Sequence, residues 1–248
     1  MRYTDLIFDL YGTLVDIHTE ENEAVWEKTA LYFGYYGVPY TAQQLKTDYE
    51  SVLTERESVL GEAYEMYPDV PMDGVLARLF RQHGVTDQAD ALGLNAAQVF
   101  RIASTEYIRV YDYVPEALSE LRQQGYRLWL LSNAQHAFTA YELRHLGLDK
   151  AFDGICLSSD YACRKPDSRF FRALLDGQHL DPRRCLMIGN DRATDIAGAK
   201  AVGLDTLYLH TNLTPAAQSA ACQPPEEQHH FEVEGADWRA LVKYIPAL

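Results

Sequence analysis

Residues 5–16 read DLIFDLYGTLVD. Leu6, Ile7 and Phe8 form a short apolar run of the kind that fills a strand buried on both faces, and Asp9 stands at its end. Gly12 and Thr13 follow within a few residues, so the chain must turn sharply just past the strand. Taken alone, a strand-ending aspartate that helps set a turn explains Asp9 as well as chemistry does. The rest of the chain decides between the two.

Four further apolar runs read as buried strands: YRLWLLS at 126–132, GICLSS at 154–159, RCLMIG at 184–189 and DTLYLH at 205–210. They alternate with stretches of helical periodicity, which predicts an α/β fold, a three-layer doubly wound parallel sheet with helices on both faces. More than a hundred residues separate the first run from the second, and they read as helical throughout. AVWEKTALYFGYYG, TAQQLKTDYESVLTERESVLGEAYE, DGVLARLFRQHG and NAAQVFRIASTEYIRV all space apolar residues by three and four. The expected organisation is a core of residues 1–15 and 114–248 with a helical insertion over 16–113, and Pro115 opens the first helix after the return. The aromatic density of LYFGYYGVPY is expected to serve helix packing rather than a cavity. After the fifth run, TPAAQSAACQPPEEQ reads as a loop, HHFEVEG as a last strand and ADWRALVKYI as a closing helix. His229 and His230 are adjacent in that strand, so they point to opposite faces and cannot share one metal ion.

With 47% hydrophobic residues the 248-residue chain is a folded one, and its formal net charge of −14 repels nucleic acid and anionic membrane. Any anionic substrate therefore needs a local positive pocket. No stretch approaches the ~20 apolar residues of a membrane span, and MRYTDLIFDL lacks the pattern of a signal peptide, so a cytoplasmic location is expected. Cys156, Cys163, Cys185 and Cys222 show no paired metal spacing and read as reduced thiols. The sequence leaves the oligomeric state open.

In a parallel sheet the C-terminal ends of the strands share one rim, where ligands of such folds bind. Ser132-Asn133 ends the second run, Lys165-Pro166 follows the third, and GNDRATD supplies Asp191 and Asp195 after the fourth. With Asp9 this makes a carboxylate nucleophile, a hydroxyl and amide donor, a lysine and a further acidic pair. A cation and the lysine together would neutralise charge that otherwise keeps an anion away from Asp9. Four segments in this order and spacing, FDLYGT, LLSN, RKPD and IGNDRATDIAGAKAVG, resemble the motifs of the haloacid dehalogenase superfamily. The long insertion is similar to the mobile cap that family calls C1.

The resemblance implies that Asp9 attacks the substrate and forms a covalent aspartyl intermediate, which water hydrolyses. It implies that Thr13 and Ser132 hold the transferring group, with Ser132, Asn133 and Lys165 at the substrate, and that Mg2+ is bound by Asp9, the Tyr11 carbonyl and the acidic fourth motif, Asp191 with Asp195. Asp195 is equally suited to cap the helix IAGAKAVG, and Asn190 to bind the cation or shape its loop. The family's phosphatases usually carry a second aspartate, the leaving-group acid, where Tyr11 stands. A tyrosine is poorly matched to that task at neutral pH, and D-x-Y-G-T is similar to the L-2-haloacid dehalogenases, in which halide leaves without a proton. Those enzymes carry a neutral stretch where Asp191 stands, a tyrosine where Phe171 stands, and a cap arginine for which Arg56 is the available residue. The preferred reading is a Mg2+-dependent phosphatase acting on a small, anionic phosphorylated metabolite with a good leaving group. A carbon–halide hydrolase and a non-catalytic ligand-binding protein remain alternatives, and His18 is a candidate for the missing proton donor.

Overall fold

The computed structural model describes residues 2–60, 67–215 and 228–248. Cys222, most of the loop after the fifth run and the GEAYE end of the second insert helix lie outside the described residues. In chain order the strands are β1 (Asp5–Phe8), β2 (Val15–Thr19), β3 (Thr105–Val110), β4 (Arg127–Ser132), β5 (Gly154–Leu157), β6 (Cys185–Gly189), β7 (Asp205–His210) and β8 (His230–Glu234). The helices are α1 (Glu23–Tyr35), α2 (Ala42–Leu60), α3 (Met72–Gln82), α4 (Ala89–Ser104), α5 (Val114–Gln123), α6 (His136–His145), α7 (Ser168–Gly177), α8 (Ala197–Ala201) and α9 (Trp238–Tyr244).

Six strands make one sheet in the order β5-β4-β1-β6-β7-β8, and every pairing within it is parallel. The alternation of side chains along each strand builds the three layers. Leu6 and Phe8 of β1, Leu128 and Leu130 of β4, and Leu186 and Ile188 of β6 pack with α5 and α9 around fully buried Trp238. Ile7, Trp129, Leu131, Cys185 and Met187 point the other way, against Phe170, Phe171 and Leu174 of α7. The expected doubly wound sheet is therefore present, with β1 at its centre. The chain runs outward through β4 and β5, then returns past β1 to β6, which makes the C-terminal end of β1 the place where strand order reverses.

A third apolar cluster belongs to α1–α4, and its aromatic residues pack on one another. Phe33 and Phe80 stack with centroids 3.9 Å apart, and Trp26 meets Phe100 edge-on at 4.9 Å, which is the helix-packing role expected for them.

The expectation that the insertion holds no strand is wrong. Val15–Thr19 and Thr105–Val110 pair antiparallel as a two-stranded ribbon, β2 with β3. The helix assigned to NAAQVFRIASTEYIRV stops at Ser104, where the hydroxyls of Ser104 and Thr105 both donate to the Arg101 carbonyl, at 3.1 and 2.7 Å. Thr105, Ile108 and Val110 are β-branched and favour the strand that follows.

The last strand and the closing helix form as expected, and His230 donates or accepts at Thr206 while exposed His229 lies outside that bond. Cys156, Cys163 and Cys185 are buried free thiols whose pKa values burial pushes up, Cys163 to about 11 and Cys185 to about 12. No described helix is long and apolar enough to cross a membrane.

Candidate active site

The reversal point of the sheet gathers the motif residues. Asp9 leaves the end of β1 with its N–H on the Ile188 carbonyl of β6, at 3.0 Å. The chain then folds back through Gly12, whose φ of +85° suits glycine and whose Cβ, were there one, would lie 2.3 Å from the Asn190 amide nitrogen. That close approach seats Thr13, fully buried, where its hydroxyl reaches Asp9 Oδ2 at 3.3 Å and Asn190 Oδ1 at 3.2 Å. Ser132, at the end of β4, reaches Asp9 Oδ1 at 3.4 Å.

Lys165 is the centre of the cluster. The residue is 2% exposed, and its ammonium spends three donors on Asp9 Oδ1 at 2.7 Å, Asp195 Oδ1 at 2.6 Å and the Leu131 carbonyl at 2.8 Å. Burial alone would lower its pKa, but the charges of Asp195 and Asp9 outweigh that and leave it above the ordinary lysine value. Burial pushes the Asp195 carboxyl up to about 7, with Lys165 pulling back and Asp9 adding to the rise. Space for Asp195 exists because residue 189 is glycine, where a Cβ would stand 2.3 Å from Asp195 Oδ2.

The capping duty offered to Asp195 falls to Asp191. Asp195 caps no helix; its second oxygen accepts the Asp191 N–H at 3.0 Å, so both of its oxygens are committed. The cap is Asp191, whose Oδ1 accepts from Ala193 and Thr194 N–H at 2.7 and 3.3 Å and opens the π-helical turn Arg192–Ile196. The reason is geometric: a carboxylate at the start of that turn faces its free N–H groups, whereas Asp195 is inside it and turned to the lysine.

Asn133 stands beside the lysine loop. Its amide is used on Lys165's own backbone, accepting the N–H at 2.7 Å and donating to the carbonyl at 3.0 Å, so it holds the loop that carries the lysine.

Tyr11 turns its phenol away from Asp9. The hydroxyl donates to Glu142 and lies 3.0 Å from Thr139, both on α6. Arg101 of α4 grips the same carboxylate through Nε at 2.6 Å and Nη2 at 3.0 Å, and lies over the Tyr11 ring at 5.3 Å. Burial, then the Glu142 charge, raises the phenol far above the ordinary tyrosine value, against a smaller opposing pull from Arg101. His18 is not gathered at the cluster; it sits exposed on β2, 3.7 Å from Glu106 and stacked on Tyr107. Phe171 is fully buried core and packs against Gly198, where a Cβ would meet its ring at 2.3 Å. Arg56 lies on α2, with Nη1 3.0 Å from the Cβ position of Gly74 on α3.

Sequence reasoning missed Glu142, Arg101 and Gln135, all on or beside helices where a lone polar residue reads as a solvated face. It also passed over Asp16, the acid that closes the opening motif. Asp16 is 3% exposed and accepts from Arg109 at 2.6 and 2.9 Å and from Asn212 at 2.9 Å, tying β2 to β3 and to the loop after β7.

The family model of haloacid dehalogenase-like hydrolases matches residues 6–203. The chain is 29% identical over 130 residues to a glyceraldehyde 3-phosphate phosphatase of Methanothermobacter thermautotrophicus, a match that spans 52% of this chain and only 53% of that relative. It is 27% identical over 226 residues to a 5'-nucleotidase of Pseudomonas aeruginosa, covering 90% of each. A solved 2-haloacid dehalogenase of Pseudomonas syringae pv. Tomato superposes with a TM-score of 0.67 over 99% of both chains at 19% identity, a likeness of fold. With its motif residues gathered at the reversal point of the sheet, the chain belongs to the haloacid dehalogenase-like hydrolases.

Proposed function

We propose that the chain hydrolyses a small phosphorylated metabolite whose leaving group departs without an acid's help, with Asp9 as nucleophile, Mg2+ as cofactor and residues 16–113 closing over the rim as a cap. The observation that carries this reading is the buried Lys165 ammonium held between Asp9 and Asp195, with Asp9 itself 7% exposed at the rim. A structural ion pair would not need a carboxylate oxygen left with a single long hydrogen bond at the reversal point of the sheet.

Hydrolases of this family are generally Mg2+-dependent. The donor set here fits that ion. Asp9 Oδ2 has one long bond, to Thr13 at 3.3 Å, while Asp191 Oδ2 and the Tyr11 carbonyl take part in no hydrogen bond among the described residues. Two carboxylates and a carbonyl suit a cation that keeps several waters, and no three His, Cys, Asp or Glu side chains gather as a metal cluster among the described residues. Asp195 would act behind the ion, holding Lys165 and the Asp191 N–H. Bound there, Mg2+ would offset the negative charge of substrate and rim.

In the reaction the Asp9 carboxylate attacks phosphorus, and the bond to the leaving oxygen breaks with its electron pair departing on that oxygen. Lys165 holds Asp9 in place and offsets charge on the phosphoryl group, and Ser132 and Thr13 orient it. Water then cleaves the aspartyl phosphate, releasing inorganic phosphate and returning the carboxylate. Tyr11 takes no part as an acid, since its proton is directed at Glu142. Acyl and aryl phosphates are therefore the favoured class, because their leaving groups are weak bases.

The test is phosphate release from acetyl phosphate and p-nitrophenyl phosphate with and without Mg2+. We expect Mg2+-dependent turnover that falls about 10⁴-fold or more in Asp9→Asn. Metal-independent halide release from 2-chloropropionate would replace this reading with the dehalogenase one, and inactivity on both would return the chain to a ligand-binding role.

A further inference from the structure

One short stretch, residues 132–135 from the end of β4 to the start of α6, touches three separate parts of the molecule. Ser132 reaches Asp9, and the Asn133 amide holds the backbone of Lys165. Gln135 reaches the helical insertion. Its Nε2 donates to Asp69 Oδ1 at 2.8 Å and to the Val70 carbonyl at 3.2 Å, and its Oε1 accepts the Met72 N–H at 2.8 Å. The segment so held, residues 67–72, leads into α3 and also pairs with the loop that carries the lysine. The Arg164 N–H donates to the Tyr67 carbonyl at 3.0 Å, the Asp69 N–H donates to the Ala162 carbonyl at 3.1 Å, and Pro68 and Cys163 stand opposite each other in an antiparallel bridge. The lysine loop is thus gripped by Asn133 from the sheet and by 67–72 from the insertion.

We propose that Gln135 is a positioning residue, a latch that holds segment 67–72 of the insertion against the Lys165 loop and so sets how readily substrate is captured at the rim. The chemistry of the contact specifies this side chain. Two oxygens, of Asp69 and Val70, need donors and one N–H needs an acceptor, which is what one amide supplies at this reach. A glutamate of the same length would set two oxygens against an oxygen-only group, and a leucine would leave the Val70 carbonyl and the Met72 N–H without this partner and Asp69 with only Ser158 and the Arg164 charge. Asp69 is buried, so water replaces the lost partners poorly. Because Gln135 touches none of the reacting atoms, its loss lowers the fraction of molecules in the capturing arrangement rather than the rate of the bond-breaking step, which raises KM more than it lowers kcat. The kinetic part of this proposal rests on the phosphatase reading; the latch itself does not.

The experiment compares wild type, Gln135→Leu, Gln135→Glu and the pair Gln135→Glu/Asp69→Asn. Hydrogen–deuterium exchange is followed by mass spectrometry at residues 67–72 and 161–167, alongside KM and kcat for p-nitrophenyl phosphate with Mg2+. In Q135L and Q135E we expect exchange about tenfold faster at both segments, including the Asp69 and Arg164 amides that Gln135 does not itself bond. We expect KM to rise about tenfold with kcat moving less than twofold. The pair restores a donor on residue 69 facing an acceptor on residue 135, and is expected to bring exchange and KM back toward wild type. If Q135L fails to fold, the comparison of Q135E with the pair carries the same decision. Unchanged exchange at the two segments, an unchanged KM in an active single variant, or no recovery in the pair would overturn the latch. If exchange responds as expected while no protein in the series, wild type included, releases phosphate, the phosphatase reading fails and the latch stands.

Discussion

Two buried charge clusters begin two residues apart in the sequence, at Asp9 and at Tyr11, and they are built to opposite ends. Around Lys165 one ammonium is shared by two carboxylates, and the oxygens of Asp9 and Asp191 that face the rim are left with one long bond or none. Around Glu142 one carboxylate is shared by a guanidinium and a phenol, and its two oxygens are both taken by Arg101, one of them also by Tyr11. The first cluster has capacity left for a cation and an anion. The second is closed on itself and fixes α4 against α6, with the Arg101 guanidinium also 4.6 Å from the Phe138 ring. A buried ion pair is by itself weak evidence of function, and unspent oxygen at the C-terminal rim of the sheet is what separates the two cases here.

The largest effect expected from breaking this contrast is at Lys165. Lys165→Met leaves Asp9 and Asp195 buried without their cation, which should cost about 3–5 kcal/mol of stability in urea unfolding and reduce turnover by about 10³-fold or more. Arg101→Met should cost a comparable or slightly smaller amount, about 3 kcal/mol, because Glu142 loses its ion pair, yet the folded enzyme should keep turnover within about tenfold. Replacing both partners, as Arg101→Met/Glu142→Leu, should recover most of that stability, a recovery that sets this cluster apart from the one at the rim. Tyr11→Phe removes one hydrogen bond to a charged group and should cost about 1–2 kcal/mol. Its kcat should fall less than about threefold on p-nitrophenyl phosphate, and a fall of 10²-fold would instead identify the phenol as the leaving-group acid.

The smallest expected effect is at an exposed cluster around Glu232. Burial would raise the Glu232 carboxyl, but hydrogen bonds from His230, His210 and Arg192 bring it down to about 2 from an ordinary 4.5. A folded-state pKa below the unfolded one stabilises the protein above the unfolded value, and that gain disappears as pH falls through the folded one. The Tm difference between wild type and Glu232→Gln should therefore be small, and should close as the pH falls toward about 2.

The parallel sheet is legible in the sequence because its strands carry their pattern in themselves. Leu6, Ile7 and Phe8 are apolar on both faces since both faces are covered, and the same holds for the runs ending at Ser132 and Gly189. The ribbon is not legible in this way. Thr105–Val110 follows α4 with no glycine or proline between them, and its mixture of exposed Glu106 and Tyr107 with half-buried Ile108 fits a helix face as well as a strand. Motif order brings Asp9, Ser132, Lys165 and the fourth motif together, because strand ends converge whatever the loops do. How Asp191 and Asp195 divide their work depends on the turn Arg192–Ile196, which no local preference specifies. Arg101, Glu142 and Gln135 carry no signal at all, since their partners lie 41 residues or more away along the chain.

The ribbon also bears on how such a molecule can change. Thr19 and Thr105 are partners at its far end, so the chain enters and leaves everything between them through neighbouring positions. A turn of two residues could join those positions as a hairpin and leave the sheet and its rim covalently whole. The helical module is in that sense a cassette on a single doorway, able to be lengthened, exchanged or lost in one event without redrawing the wall on which it is mounted.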